Sequence, residues 1–257
     1  MKFQRSMLAL GVAALPLALA APAQADHEIV FTLAPLNDSG AEATATVAAN
    51  EDGSLDVSIQ GTGFTPNQPH AQHIHGAIDD ADFFCPPPSA DADGDGFVAT
   101  EEGVPQYGDV LIALTTTGDV SADSGLAIDR FPVADAEGNL DYERTLPAEM
   151  LPEGLAESLT QLHIVQHGID VNGNDTYDLE SLGESVFAAS LGVKGVPEEA
   201  TNPATCGEVT PVGGVETGAG GTSGPEQLPL MALGGLALLG AGGAVLARRR
   251  LAPADAA

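Results

Sequence analysis

Basic and aromatic residues are scarce in this chain. Tryptophan is absent, aromatic residues make up 4% of the sequence, and 8 lysines and arginines stand against 37 aspartates and glutamates. So few rings argue against a surface on which sugars stack. Such an acidic surface repels nucleic acid and anionic lipid and attracts cations, so we expect no nucleic-acid partner. Adaptation to a salty medium would explain the same acidity.

Several catalytic and architectural signatures are also missing. The sequence has no Gly-x-Ser-x-Gly nucleophile turn and no glycine-rich phosphate-binding loop. It also has no coiled-coil heptads and no repeat of solenoid length. Serine hydrolases, nucleotide-binding enzymes and repeat proteins are therefore without support.

Residues 1–25 have the features of a secretory signal. Lys2 and Arg5 precede an apolar stretch from Met7 to Ala20, and Ala23-Gln24-Ala25 is a small-x-small cleavage motif. We expect an exported mature chain that begins at Asp26, with an uncleaved N-terminal anchor as the alternative.

The C-terminal segment predicts a membrane anchor. Residues 228–247 carry no charge and are followed by Arg248-Arg249-Arg250. A run of about 20 apolar residues spans a bilayer, and the arginines mark the cytoplasmic side. We therefore expect a transmembrane helix over 228–247, a cytoplasmic tail over 248–257, and a domain over 26–208 outside the cell membrane.

The segment between this domain and the anchor, 209–227, is glycine-rich and nearly free of large apolar residues, which predicts a stalk. The anchor resembles a cell-wall sorting signal. However, Leu228-Pro229 is not followed by Thr-Gly, which favours retention in the membrane over attachment to the wall.

The domain itself predicts an all-β fold. Short β-compatible runs alternate with turns rich in Gly, Pro, Asn and Asp, which is typical of an antiparallel sandwich or barrel. The runs cover 28–33, 43–49, 55–61, 71–78, 110–116, 126–131, 162–166 and 185–189. Residues 148–161 have helical spacing and predict one short helix.

The chain contains two cysteines, Cys85 and Cys206. Because exported cysteines usually pair, we expect one disulfide between them, with two free thiols as the alternative.

Residues 91–102 match a twelve-residue calcium loop. Carboxylates from Asp91, Asp93 and Asp95, the Phe97 carbonyl and the Glu102 carboxylate stand at its ligand positions. The prolines before the loop and at position 105 predict that neither flanking helix of an EF-hand forms. An acidic surface loop without an ion is the alternative.

A second acidic turn begins at Asp170 and has oxygen ligands at alternate positions. It has Asp175 where the calcium loop needs glycine and Ser181 where it needs glutamate, which weakens the case for calcium.

The histidines cluster on two predicted strands. His73 and His75 share a face of one strand, and His163 and His167 share a face of another. Imidazoles arranged in this way are ligands of copper or zinc, so these four are candidate copper ligands. Hydrogen-bonded core histidines are the alternative.

These motifs together resemble the CHRD domain of secreted proteins and the related copper/zinc superoxide dismutase fold. The matching motifs occur in the same order as in that fold, over about residues 70–208. They are His73-Ile74-His75-Gly76, Cys85, Gly118 to Asp123, His167-Gly168-Ile169-Asp170 and Ala204-Thr205-Cys206-Gly207. The resemblance implies a Greek-key β-sandwich or barrel, copper on His73, His75 and His167, and a disulfide between Cys85 and Cys206.

The chain departs from dismutases in three ways. Residues 77–117 contain no histidine, so the zinc ligands are missing. No arginine precedes Cys206, and an acidic surface repels superoxide. We therefore expect a non-catalytic, membrane-tethered module with a structural calcium loop and a copper-binding histidine cluster, whose partners are metal ions or a cell-surface protein. A copper-only dismutase-like enzyme, supported by His163 or His70, and a surface copper scavenger are the alternatives.

Overall fold

The computed structural model describes residues 27–79 and 81–210, which form one antiparallel sheet of eight strands in the order β5-β4-β7-β8-β1-β2-β3-β6. The strands are β1 (His27–Pro35), β2 (Glu42–Ala49), β3 (Leu55–Thr62), β4 (Gln72–Gly76), β5 (Asp109–Ala113), β6 (Leu140–Leu146), β7 (His163–His167) and β8 (Pro203–Thr210). The prediction of an antiparallel all-β domain is confirmed.

Four short helices lie in the connections: α1 (Thr100–Tyr107), α2 (Leu155–Ser158), α3 (Val186–Ser190) and α4 (Glu198–Thr201). Single 3₁₀ turns occur at Pro88–Ala90, Ala122–Ser124, Ile128–Arg130, Ala148–Met150 and Leu159–Gln161.

The sheet curls into a half-barrel around its main core. On β3 the side chains of Leu55, Val57 and Ile59 are buried and the residues between them are exposed, as strand alternation requires. The same core receives buried residues from β1, β2, β4, β6 and β7. One face of the sheet therefore encloses the apolar interior, and the other remains available for polar groups.

Side-chain hydrogen bonds link the two edge strands of the sheet. Tyr142 on β6 donates to the carbonyl of Thr115, which follows β5, at 3.2 Å. Arg144 on β6 donates to the same carbonyl at 2.6 Å. These contacts tie the segment that follows β5 to β6.

Several elements of the structure differ from those predicted, for local chemical reasons. The strand predicted over 126–131 is absent, and Ile128–Arg130 form a 3₁₀ turn there. The strand predicted over 185–189 is replaced by α3, because the Ser185 hydroxyl accepts a hydrogen bond from Ala188 N and caps a helix. The helix expected over 148–161 breaks into three short pieces, because Pro152 and the left-handed Gly154 interrupt it. Strands β6 and β8 were not predicted, and β8 runs to Thr210, two residues past the expected domain boundary.

The prediction that no helix follows the first acidic loop is wrong, because α1 forms with Pro105 inside it. Glu102 supports its first turn by accepting a hydrogen bond from Ala99 N at 2.9 Å. Tyr107 at the other end is fully buried. A Cβ on Gly103 would lie 2.5 Å from the Tyr107 ring, so the glycine makes room for that ring. Burial of Tyr107 thus outweighs the helix-breaking effect of Gly103 and Pro105. On the other side of the loop, the described chain forms only the 3₁₀ turn Pro88–Ala90.

Among residues 27–79 and 81–210, no helix is long and apolar enough to cross a membrane. The predicted signal at 1–25, the stalk beyond residue 210, the anchor at 228–247 and the tail at 248–257 lie outside the described residues.

Candidate metal centre

Strand β4 places two histidines side by side on the face of the sheet opposite the main core. Ile74 between them packs into that core. The ring centroids of His73 and His75 are 5.3 Å apart. Two aromatic rings cover them: Phe131 lies 5.4 Å from His73, and Tyr107 of α1 lies 4.6 Å from His75.

Strand β7 brings a third histidine to this pair. The β7–β8 pairing shifts register between Gln166 and His167. The His167 ring lies 5.0 Å from that of His73 and 6.1 Å from that of His75. One ring nitrogen from each of the three histidines lies within 4.8 Å of the others. Their exposed fractions are 5% for His73, 1% for His75 and 3% for His167, so the cluster is shielded from solvent.

Backbone carbonyls fix the tautomer of each ring. Nε2 of His73 lies 3.0 Å from the carbonyl of Gly125, and Nδ1 of His75 lies 2.9 Å from that of Gly108. Nδ1 of His167 contacts the carbonyl of Thr201. Because a carbonyl can only accept, each of these nitrogens carries the hydrogen.

The second nitrogen of each ring is buried and has no hydrogen-bond partner in the described part of the chain. These atoms are Nδ1 of His73, Nε2 of His75 and Nε2 of His167. In a neutral imidazole held by its N–H, the other nitrogen presents a lone pair. Buried polar atoms without partners are rare in folded proteins, and three in one cluster are what a metal ion would satisfy.

Burial also keeps these rings uncharged. Desolvation, with a smaller contribution from the nearby His167, lowers the pKa of His75 to about 3. Desolvation lowers the pKa of His167 to about 4. The pKa of His73 falls well below its ordinary value, first from desolvation and then from its two histidine neighbours. Neutral imidazole is the form that binds metals, so the cluster needs no proton release near neutral pH.

A cavity of about 20 Å³ adjoins the cluster. It touches His73 and His167 and is otherwise lined mainly by apolar groups, among them Leu126, Ile128 and Phe187. Its volume is enough for about one water molecule, which leaves room for a single small ligand beside a bound ion.

The other two described histidine rings lie outside the cluster. His70 is fully buried, with Nδ1 2.9 Å from the carbonyl of His167, so it contacts the backbone of a candidate ligand. His163 lies four residues from His167 on the same strand, about 13 Å along it, which is too far to share one ion. Its Nε2 lies 3.7 Å from an oxygen of Glu208 instead.

The first acidic loop gathers its predicted ligands. Carboxylate oxygens of Asp91, Asp93 and Asp95 lie within 4.8 Å of one another. Asp91 accepts hydrogen bonds from the amides of Gly94 and Gly96, and Glu102 accepts from Ala92 N at 2.8 Å. Phe97 packs against the main core.

The second acidic turn repeats this hydrogen-bond pattern. Asp170 accepts from the amides of Gly173 at 2.8 Å and Asp175 at 2.7 Å, the same relative positions as in the first loop. Asp175 adopts a left-handed φ of 60° where the first loop has Gly96 at 100°.

A residue that sequence reasoning missed completes the second turn. Glu199 of α4 is fully buried, and its two carboxylate oxygens accept from Val171 N at 3.0 Å and Asp178 N at 2.8 Å. The glutamate missing at position 181 is thus replaced in space by one from another element, which no local spacing signals.

The predicted disulfide between Cys85 and Cys206 is present. It lies in a small apolar cluster with Tyr107 and Val165, directly beside the histidine face.

No protein-family model matches this chain, and no curated protein matches it.

Proposed function

We propose that this chain is an exported β module, tethered to the cell membrane, that holds one copper ion between His73, His75 and His167. The observation that carries the proposal is a cluster of three histidines, each with one buried ring nitrogen that has no hydrogen-bond partner among the described residues. Each ring is oriented by a backbone carbonyl, as metal-bound imidazoles usually are.

Copper is favoured because all three donors are imidazole nitrogens. The affinity of such a site for first-row divalent ions is highest for Cu²⁺. The bound ion would leave one coordination position toward the small cavity beside His73 and His167.

A storage or structural role is favoured over catalysis. The ligands are nearly inaccessible, and both described arginines bond to backbone carbonyls: Arg130 to Thr117 and Asp119, and Arg144 to Thr115 and Gly118. They therefore leave no guanidinium aimed at the centre to attract an anion. A dismutase-like enzyme would need that attraction against a formal net charge of −29.

The proposed family is the CHRD and superoxide dismutase-like fold. Support comes from the strand order, in which β7 lies beside β4 and β8 beside β1, as Greek-key connections produce. The disulfide links the segment after β4 to β8, as the resemblance implies.

The copper proposal is tested by measuring bound metal per chain. The full chain is stripped with a chelator, dialysed against Cu²⁺ in excess calcium, and compared with His73→Ala/His167→Ala. We expect one tightly bound copper that the double variant loses. His163→Ala is the matched control, because it removes an imidazole from β7 and leaves the three-histidine cluster intact. Equal tight copper in the wild type and the double variant would refute the proposal.

Superoxide turnover by the copper-loaded wild type separates the enzyme alternative from the module. Turnover that disappears in His73→Ala/His167→Ala would establish the enzyme. Tight copper without turnover would leave storage or a structural role.

We also propose that calcium stabilises the two acidic loops. The supporting observation is that both adopt the same amide-to-carboxylate pattern and that each has a glutamate, Glu102 or Glu199, on the amide of its second residue. The folded loops hold several carboxylates close together, and these negative charges repel one another until a calcium ion binds between them.

Calcium binding is tested by thermal unfolding with and without Ca²⁺. We expect the rise in Tm to shrink in Asp91→Asn/Asp93→Asn. Asp141→Asn, which neutralises an exposed acid on β6, should keep the full rise. An equal rise in all three proteins would contradict a loop-specific site.

A further inference from the structure

The backbone carbonyl that orients His167 also accepts a hydrogen bond from a second side chain. Nδ1 of His167 and the hydroxyl of Thr100 both donate to the carbonyl oxygen of Thr201. Thr100 is the first residue of α1, and Thr201 is the last residue of α4. A carbonyl oxygen has two lone pairs, so it accepts both hydrogens at once. The acceptor of this candidate ligand is therefore shared with a neighbouring helix.

The other two rings of the cluster do not share their acceptors in this way. His73 donates to the carbonyl of Gly125, and His75 donates to that of Gly108. In the described part of the chain, no other side chain donates to either of these carbonyls. Thr100 therefore acts on His167 and leaves the hydrogen bonds of His73 and His75 unchanged.

The shared carbonyl lies in a fixed and dry environment. Thr100 and Thr201 are both buried, so water does not compete for the oxygen. The Thr201 hydroxyl is hydrogen-bonded to the Ser185 hydroxyl at 2.7 Å and donates to the carbonyl of Glu198 at 3.2 Å. These bonds hold Thr201 independently of Thr100. Removing the Thr100 hydroxyl should therefore leave the carbonyl in place and give it to His167 alone.

Two donors on one oxygen weaken each other, because both draw on the same electron density. The Thr100 hydroxyl thus weakens the hydrogen bond from His167 to Thr201. A weaker hydrogen bond at the N–H of an imidazole makes its other nitrogen less basic as a ligand. A less basic ligand stabilises Cu²⁺ less, whereas Cu⁺ depends less on ligand basicity because its charge is lower.

We propose that Thr100 is a positioning residue of the copper centre, which acts on His167 through the Thr201 carbonyl and favours Cu⁺ relative to Cu²⁺. This inference rests on the proposed copper site and assigns the redox balance of that site to a side chain outside its three ligands. The same helix carries Tyr107, whose ring covers His75. Helix α1 would therefore both shield the centre and set its reduction potential.

The test is the reduction potential of copper in the full chain, measured by titration with redox dyes once bound copper per chain is known. Thr100→Val removes the hydroxyl and keeps the volume, and Thr100→Ser keeps the hydroxyl. Thr100→Ala removes the hydroxyl without the bulk of valine, in case valine prevents folding. Thr205→Val is the control, because it removes a buried hydroxyl that donates to Oε1 of Gln166 at 3.0 Å instead of to the acceptor of a ligand.

We expect Thr100→Val and Thr100→Ala each to raise the affinity for Cu²⁺ relative to Cu⁺ by about tenfold, the lower end of the effects of outer partners on metal ligands. For a one-electron couple, this is a fall in potential of about 59 mV. Thr100→Ser and Thr205→Val should keep the wild-type potential. In the apo protein, the proton on Nδ1 of His167 should move downfield in Thr100→Val, because its hydrogen bond is stronger.

The outcomes separate this inference from the copper proposal. Wild-type protein that binds no tight copper would refute the copper proposal and this inference with it. Equal potentials in copper-loaded wild type, Thr100→Val and Thr100→Ala would overturn this inference alone. An equal fall in Thr205→Val would also overturn it, because the effect would then come from the loss of any buried hydroxyl.

Discussion

Removing the disulfide should destabilise the domain by about 5 kcal/mol. Cys85 and Cys206 are 121 residues apart in the chain. In the chain-entropy model, the crosslink restricts the unfolded chain by an amount that grows with the logarithm of loop length, which gives about 5 kcal/mol for a loop of this size. The variant for the test is Cys85→Ala/Cys206→Ala, because alanine adds no buried hydroxyl and leaves no unpaired thiol.

The disulfide should also protect the proposed copper centre. Cys206 packs with Tyr107 and Val165, and the Tyr107 ring covers His75. Loss of the crosslink should loosen the packing of the Tyr107 ring over His75. We therefore expect bound copper to be released faster from the variant than from the wild type. The comparison is made at a pH and calcium concentration at which both proteins remain folded.

Urea unfolding of the apo forms of both proteins measures the change in free energy, and transfer of copper to a coloured chelator measures its release. A loss of less than about 2 kcal/mol would refute the entropic reasoning, because it would mean that the unfolded chain gains little freedom when the bond is absent. Unchanged copper release would show that the cover over His75 does not depend on the crosslink.

Three further outcomes follow from buried groups. The apo protein should lose stability as the pH falls below about 6.5, because burial holds the pKa of His75 at about 3 and that of His167 at about 4, so the unfolded chain takes up protons first. The loss should be about 1.4 kcal/mol per pH unit for each histidine until its folded pKa is reached, and a flat unfolding profile from neutral to mildly acidic pH would contradict it. Glu199→Gln should lower the free energy of unfolding by about 1–3 kcal/mol even without calcium, because one backbone amide would face the NH₂ group in place of a carboxylate oxygen. Urea unfolding in the presence of a chelator measures this loss. A variant as stable as the wild type would argue against that role of Glu199. Gly103→Ala should lower the free energy of unfolding by about 1–3 kcal/mol in the same assay, because the added Cβ would press on the Tyr107 ring. A variant more stable than the wild type would show that helix propensity outweighs this clash.

Patterns within one strand or loop were predictable from the sequence. Alternation over 55–61 predicted a half-buried strand, and β3 is one. The spacing of His73 and His75 places both rings on one face of β4, because side chains on a strand alternate. The two cysteines pair, as predicted.

Features that depend on packing were not predictable in this way. Pro105 argued against α1, which forms because its end buries Tyr107. Sequence spacing treated His163 and His167 alike, but only His167 has a ring nitrogen within 4.8 Å of one on both His73 and His75. His163 is paired with His75 across the strands, yet its Nε2 lies beside Glu208 instead.

The sequence by itself determined an acidic chain of short antiparallel strands with paired cysteines, a His-x-His strand and an acidic twelve-residue loop, because each of these is a property of residue type or short-range spacing. The tertiary structure alone decided which third histidine joins the pair, which carbonyls orient the rings, and that Glu199 enters the second loop. These contacts join residues 21 to 94 positions apart, from Glu199 with Asp178 to His73 with His167, and which pairs meet depends on how the strands are ordered in the sheet.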